Sequence, residues 1–346
     1  MTTADIREMA MDELKEVISG MGEKPFKAKQ IYEWLHVKTV ASYDEMTNLS
    51  KELREKLKVQ YPITPMEIVE CQESKIDGTK KYLLRLFDDN VIESVWMKYQ
   101  HGNTVCISSQ VGCRMGCTFC ASTLGGLVRN LSVAEMLEQI YIIDRKTNER
   151  VSNVVVMGMG EPLDNYEVLV RFIHMISDAN GLNISQRNIT VSTCGITPRI
   201  HELAKEKLQI TLALSLHAAN DERRSELMPI NKQYPLDEVI AACKDYYEQT
   251  KRRLTFEYSL AAGVNDSSAE AEELATLLRG INCHVNLIPM NPVRERKYVQ
   301  SDKVNVAKFQ NKLEKYRINV TIRREMGRDI DGACGQLRNR LRESKK

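Results

Sequence analysis

A βα rhythm beginning near residue 104 constrains this chain more than any other feature. Short apolar runs at 104–109, 153–157, 188–192, 210–216, 254–259 and 284–288 alternate with stretches of helical periodicity at 132–147, 166–179, 197–206, 235–249 and 267–280. A further helical stretch follows at 303–316, and 319–323 has the composition of a last strand. Strands separated by helices of this length cannot be hairpin neighbours, so they are expected to run parallel in one sheet. Six such units fall short of the eight that close a barrel. The expected fold is therefore α/β, an open, partial (β/α)6 barrel. In parallel architectures of this kind, chemistry gathers at the C-terminal ends of the strands.

The chain ahead of the barrel reads differently. Helical spacing recurs at 13–18, 27–36 and 50–59, and two β-rich runs at 81–87 and 91–97 flank Asp88, Asp89 and Asn90. The first set predicts a small helical domain and the second a hairpin around an Asp/Asn turn. The expected organisation is a helical accessory domain over 1–75, a β-hairpin extension over 76–103, the barrel over 104–317, and a C-terminal segment over 318–346.

The strand ends carry chemistry-bearing residues in register. After the first strand come Cys113, Cys117 and Cys120, spaced C-x3-C-x2-C with Phe119 before the last. After the second stands Gly158-Met159-Gly160-Glu161-Pro162. Later strands end in Ser192-Thr193-Cys194-Gly195, in Ser215-Leu216-His217-Ala218 and in Pro289-Met290-Asn291-Pro292. A structural zinc site normally takes four protein ligands, whereas iron–sulfur clusters are built on thiolates. Three cysteines on one loop would leave one iron of a [4Fe–4S] cluster open to a small molecule. A zinc loop completed by Cys106 or a histidine is the alternative, and it would make the chain a zinc-dependent RNA-binding module.

Nine cysteines suit a reducing compartment only if they serve metal or catalysis rather than structural bridges. Cys71, Cys243 and Cys283 read as small packed residues. Apolar residues make up 42% of the chain, but no run reaches the roughly 18–20 residues of a membrane span. The first fifteen residues lack the pattern of a secretory signal. A cytoplasmic protein is expected, with no membrane association and monomer as the default state.

The cysteine spacing resembles that of the radical S-adenosylmethionine (SAM) superfamily. Together with Gly327-Arg328-Asp329-Ile330-Asp331-Gly332-Ala333-Cys334-Gly335-Gln336-Leu337 and, more weakly, Phe26-Lys27-Ala28-Lys29-Gln30-Ile31 with Trp34, the strand-end motifs resemble the bacterial RNA adenine-C2 methyltransferase family. That resemblance implies a [4Fe–4S] cluster on Cys113, Cys117 and Cys120. It implies SAM held by Gly160, Glu161, Ser192, Ser215, Leu216, His217 and Asn291, with two molecules used per turnover. One would methylate Cys334. The second, cleaved at the cluster to a 5′-deoxyadenosyl radical, would activate the S-methyl group to add to C2 of adenine. Glu93 would accept the C2 proton. Cys106 would then attack Cys334, releasing the methylated base and leaving a transient disulfide for an external reductant, alongside an external electron donor for the cluster. The implied substrates are 23S rRNA and tRNA. A sister enzyme methylating C8 of the ribosomal adenine, which confers antibiotic resistance, is the nearer alternative; Pro162 after Glu161 favours C2.

Net charge is only +2, so bulk charge does not announce nucleic acid. Basic residues nevertheless cluster at Lys24, Lys27 and Lys29, at Lys251, Arg252 and Arg253, at Arg294, Arg296 and Lys297, and at Arg323, Arg324 and Arg328. More follow at Arg338, Arg340, Arg342, Lys345 and Lys346. The expectation is that the N-terminal helices and the basic C-terminal segment, through Lys27, Lys29, Arg323 and Arg324 among others, grip a looped RNA at the barrel mouth.

Overall fold

The computed structural model describes residues 5–100 and 102–337. The N-terminal part forms three helices, α1 (Met11–Gly20), α2 (Phe26–His36) and α3 (Lys51–Gln60). Each is too short to be stable alone. They share a core of their own, in which Leu14, Ile18, Ile31, Leu35, Leu53 and Leu57 are completely buried.

An antiparallel ribbon follows: β1 (Glu67–Glu73), β2 (Lys80–Arg85) and β3 (Val91–Tyr99), which pairs onward with β4 (Gly102–Cys106). The expected hairpin is β2–β3, closed where Leu86 N–H donates to the Asn90 carbonyl at 2.8 Å. It has a third strand that helical periodicity missed, since residues 67–73 lie within the stretch expected to be helical. A short pair, β5 (Gln110–Gly112) and β6 (Leu127–Asn130), brackets the three-cysteine loop.

The barrel itself runs through α4 (Val133–Thr147), β7 (Val151–Val156), α5 (Tyr166–Ser177), β8 (Ile189–Thr193), α6 (Thr197–Lys205), β9 (Thr211–Ser215), α7 (Asp221–Leu227), α8 (Leu236–Thr250), β10 (Leu254–Leu260), α9 (Ser268–Leu277), β11 (Cys283–Pro289), α10 (Lys303–Lys315) and β12 (Asn319–Ile322). The sheet order is β1-β2-β3-β4-β7-β8-β9-β10-β11-β12, parallel from β4 to β12. The six expected parallel strands are present, and the last strand joins their sheet beside β11. Helix starts are set locally. Ser132 with Glu135 and Ser267 with Glu270 form capping boxes on α4 and α9, satisfying N–H groups that a helix cannot pair itself.

The helical domain docks on α4 and α5 through buried polar contacts. Arg7 pairs with Asp5 and Glu138, Tyr32 Oη donates to Asp178 at 2.8 Å, and His36 Nδ1 meets Tyr141 Oη at 2.7 Å. Among the described residues, no helix is long and apolar enough to cross a membrane.

Candidate active site

The parallel strands deliver their ends to one cleft, as the architecture predicts. Its walls include Cys113, Cys117 and Cys120 from the cysteine loop, Gly160 and Glu161 after β7, and Ser192 and Ser215 from β8 and β9. His217, Asn291 and Cys334 complete the set brought together from the sequence expectations. The cleft holds about 1010 Å³ of space, part of it open to solvent.

Close backbone packing shapes the turn after β7. Gly160 has φ +102°, and a Cβ there would stand 2.6 Å from Gln110 Cβ. Only glycine fits both the conformation and the space. The turn aims the buried Glu161 carboxylate at the loop after β8, where it accepts from Cys194 N–H at 2.8 Å and from Leu163 N–H at 3.1 Å. Burial pushes its pKa up, and these backbone N–H groups oppose that.

Ser192 and Ser215 lie across neighbouring strands with their hydroxyl oxygens 3.2 Å apart. His217 takes φ +57° and accepts from Ser259 N–H on Nδ1 at 3.0 Å. Burial lowers its pKa to about 3, so the ring is neutral and carries its proton on Nε2. Phe119 of the cysteine loop packs edge-on against it, ring centres 4.9 Å apart. Behind these strand ends lies Arg224, completely buried. It donates to the carbonyls of Cys194 (2.7 Å), Leu216 (3.2 Å) and Ser215 (3.3 Å) and to Asn231 Oδ1 (2.7 Å).

Leu216 departs from its expected role. Its side chain is buried in the apolar core and does not line the cleft, and its N–H and carbonyl are engaged by Glu257 and Arg224.

The three thiols suit an iron–sulfur cluster. Burial pushes all three up in pKa, Cys113 to about 12, so a cationic metal centre is what would turn them into thiolates. Among the described residues, no three His, Cys, Asp or Glu side chains converge as a single ion would need. All three thiols line the one cleft, and cysteine thiolates are the ligands that iron–sulfur clusters take. The loop is braced by Arg296, one of the clustered basic residues of the sequence, which donates to the Cys120 carbonyl (3.0 Å) and to Thr123 Oγ1 (2.8 Å).

Cys334 is carried in by the C-terminal loop, which is clamped on two sides. Asp329 accepts from Ser74 Oγ (2.6 Å) and Lys75 N–H (2.9 Å), and the Asp331 carbonyl accepts from Lys81 Nζ (3.3 Å). Beyond Cys334, Asn291 Nδ2 donates to the Cys334 carbonyl (3.1 Å), Ala121 N–H to the Gly335 carbonyl (2.7 Å) and Ser122 Oγ to the Leu337 carbonyl (2.7 Å). Cys106, at the end of β4, does not line the main cleft. It lines a second cavity whose wall also contains Cys334 and Arg323. Glu93 lines neither. It is completely buried, 3.7 Å from the equally buried Lys81, whose Nζ also donates to the Cys334 loop at the Asp331 carbonyl. It is no solvent-facing strand position, because both faces of β3 are covered over Val91–Met97.

Sequence reasoning missed Glu257 and the inward setting of Arg323. Glu257 sits between Phe256 and Tyr258 in a buried strand and faces the cleft; a lone charge in an apolar strand was the available signal. Arg323, expected among the groups that grip RNA at the barrel mouth, lines both cavities. Of the cysteines expected to be packed, Cys243 and Cys283 are buried, whereas Cys71 is exposed on the edge strand β1.

Comparison with known proteins bears on this site. Residues 4–63 match the ribosomal RNA large subunit methyltransferase N-terminal domain, and residues 107–276 match the radical SAM superfamily. The chain is 62% identical over 334 residues to a probable dual-specificity RNA methyltransferase RlmN of Lachnoclostridium phytofermentans, covering 96% of this chain and 94% of that protein. It is 52% identical over 341 residues to the protein of the same name from Staphylococcus carnosus, covering 98% and 93%. The crystal structure of a radical SAM methyltransferase from Sphaerobacter thermophilus superposes with a TM-score of 0.94 at 44% identity, covering 97% of this chain and 99% of that one. Identity at this level over nearly the whole chain leaves the zinc-dependent RNA-binding alternative without support. The chain belongs to the RlmN-type dual-specificity RNA methyltransferases of the radical SAM superfamily.

Proposed function

We propose that the chain methylates C2 of an adenine in 23S rRNA and in tRNA, with Cys334 as the carrier of the methyl group. The observation that carries this reading is the placement of Cys334, which lines the main cleft with Cys113, Cys117 and Cys120 and the second cavity with Cys106. Cys113, Cys117 and Cys120 would hold a [4Fe–4S] cluster; Gly160, Glu161, Ser192, Ser215, His217 and Asn291 would hold SAM, used twice per turnover. Bound together, cluster and SAM supply the electron and the radical that an unactivated aromatic carbon requires.

The protein's own groups do the rest. The neutral His217 offers an N–H donor without adding charge beside the sulfonium. Clamping from both ends keeps Cys334 within reach of both cavities, which a group that must be methylated in one and attacked from the other needs. Cys106 acts as the resolving thiol, and reduction of the resulting disulfide in each cycle suits a cytoplasmic home with an external reductant. Glu93 takes the C2 proton, its carboxylate kept behind the Cys334 loop beside Lys81. Exposed Lys24 and Lys29 are the N-terminal groups available for RNA phosphates, whereas Lys27 is paired with Glu23 at 2.7 Å. Arg338 and the basic residues after it lie outside the described residues.

The test is anaerobic reconstitution with iron and sulfide, followed by reaction with SAM, a reductant and RNA carrying the target loop. Digested nucleosides are then compared by mass with standards. 2-Methyladenosine that is lost on Cys334→Ala supports the reading. 8-Methyladenosine would transfer the chain to the C8 alternative, and neither product from cluster-loaded protein would overturn the substrate assignment.

A further inference from the structure

Arg323 stands just past β12, its backbone N–H donating to the Leu287 carbonyl at 2.8 Å, so that strand pairing fixes where its side chain begins. Its guanidinium and Cys334 belong to the wall shared by the two cavities. Nη1 lies 3.8 Å from Glu257 Oε2 and 3.8 Å from Met157 Sδ, and the side chain is about a quarter exposed, at 24%. The charges acting on it come from Cys334 first, then Glu257, Cys106 and Tyr99. Arg324, the other cation lining the second cavity, is exposed. Burial drives the Cys106 thiol up to about 12, and Cys334 pushes in the same direction; Arg323 opposes both.

We infer that Arg323 is a positioning residue that serves two thiolates in succession, that of Cys334 and then that of Cys106. The inference rests on the roles proposed above for those cysteines. In the first stage Cys334 gives its proton to solvent and its thiolate attacks the methyl carbon of SAM. A new S–C bond forms on Cys334, and the old one breaks with its electron pair kept by the departing thioether. Cys334 is then neutral, and the guanidinium is released from its strongest partner. In the second stage the same cation favours the Cys106 thiolate, which attacks the Cys334 sulfur. The S–S bond forms, the bond from that sulfur to the RNA-bound carbon breaks, and its electron pair passes to the carbon, which is protonated. The two sulfurs lose the two electrons that the carbon gains, and an external dithiol later returns them to the disulfide. Glu257, Asn286 and Met157 hold the guanidinium in place: Asn286 Nδ2 donates to Glu257 at 3.0 Å, aligning the carboxylate that tethers Arg323.

A thiolate is the species that is alkylated, so below its pKa the alkylation rate follows the thiolate fraction. An opposite charge within about 4–6 Å shifts a pKa by about one unit or more, worth about tenfold in that rate. The experiment uses the cluster-loaded full chain carrying Cys334→Ala, so that Cys106 is read alone. Iodoacetamide labelling of the Cys106 peptide is followed by mass across pH 7.5–9.5 (a range chosen to stay about two units or more below the thiol pKa). Adding Arg323→Gln is expected to slow labelling about tenfold at every pH, and Arg323→Lys to restore it to within about threefold of the Arg323 protein. Equal rates with and without the Arg323→Gln change, or a lysine variant as slow as the glutamine one, would overturn the inference. The proposed role of Cys334 is read separately, as S-methylcysteine in the peptide containing residue 334 of the protein with Cys334 intact. Its absence would remove the underlying reading without touching the alkylation result.

Discussion

Replacing Arg224 with methionine tests whether the strand ends at the cleft are held by one buried cation. The change keeps a long side chain and removes the guanidinium. It leaves the carbonyls of Cys194 and Ser215 and the Asn231 amide oxygen without that donor, while the Leu216 carbonyl keeps the Ala218 N–H at 2.8 Å. Each buried acceptor left unpaired costs about 1–3 kcal/mol. Against that, the folded protein no longer bears the several kcal/mol of penalty for burying a guanidinium, which lowers the pKa of Arg224. The balance is a loss of about 3–4 kcal/mol, and at about 2–4 °C per kcal/mol the melting temperature should fall by about 10 °C. Circular dichroism of the metal-free protein measures this directly. Arg224→Lys should recover part of the loss, because an ammonium reaches fewer of the four acceptors. SAM affinity should weaken alongside, since Ser215 and His217 lie on the segment that Arg224 holds. A melting temperature within about 2 °C of the parent would show that these bonds contribute nothing net, and the reasoning would fail.

Gly160→Ala should cost about 2–4 kcal/mol and weaken SAM binding, because φ +102° and a contact of 2.6 Å to Gln110 cannot both be relieved locally; calorimetry with SAM would check it. His36 should make stability fall with acid. Its folded pKa, lowered by burial to about 3, lies below the unfolded value near 6.5, so the unfolded state takes up the proton first. Its contribution is complete above about pH 6.5 and is lost as pH falls towards 3, by about 2–3 kcal/mol at pH 4.5; His36→Gln should flatten the melting temperature between pH 7 and 5. Asp329→Ala should speed hydrogen exchange over 327–337 with little change in melting temperature, since it releases Ser74 and Lys75 but no core contact. Glu93→Gln should stop product release while leaving Cys334 methylation intact, read as an RNA–protein adduct on denaturing gels.

Much of this protein was legible along the chain, because periodicity and spacing are local properties. The alternation of strand and helix, the C-x3-C-x2-C loop and the residues at the ends of β8, β9 and β11 all follow from side-chain order and from where parallel strands must end. What local order could not decide is which distant segments share a wall. Cys106 and Cys334 are brought to one cavity only because β12 returns beside β11 and the loop beyond it is bonded to both the β1–β2 turn and the cysteine loop. Arg323 looks like surface charge in sequence, yet its strand directs it inward, between two thiols and Glu257. Glu93 looks like the polar face of a strand, yet it is completely buried and paired with Lys81 of the neighbouring strand β2. Burial and charge partners are properties of the whole packing, and they assign each of these residues a setting that its neighbours in sequence do not specify.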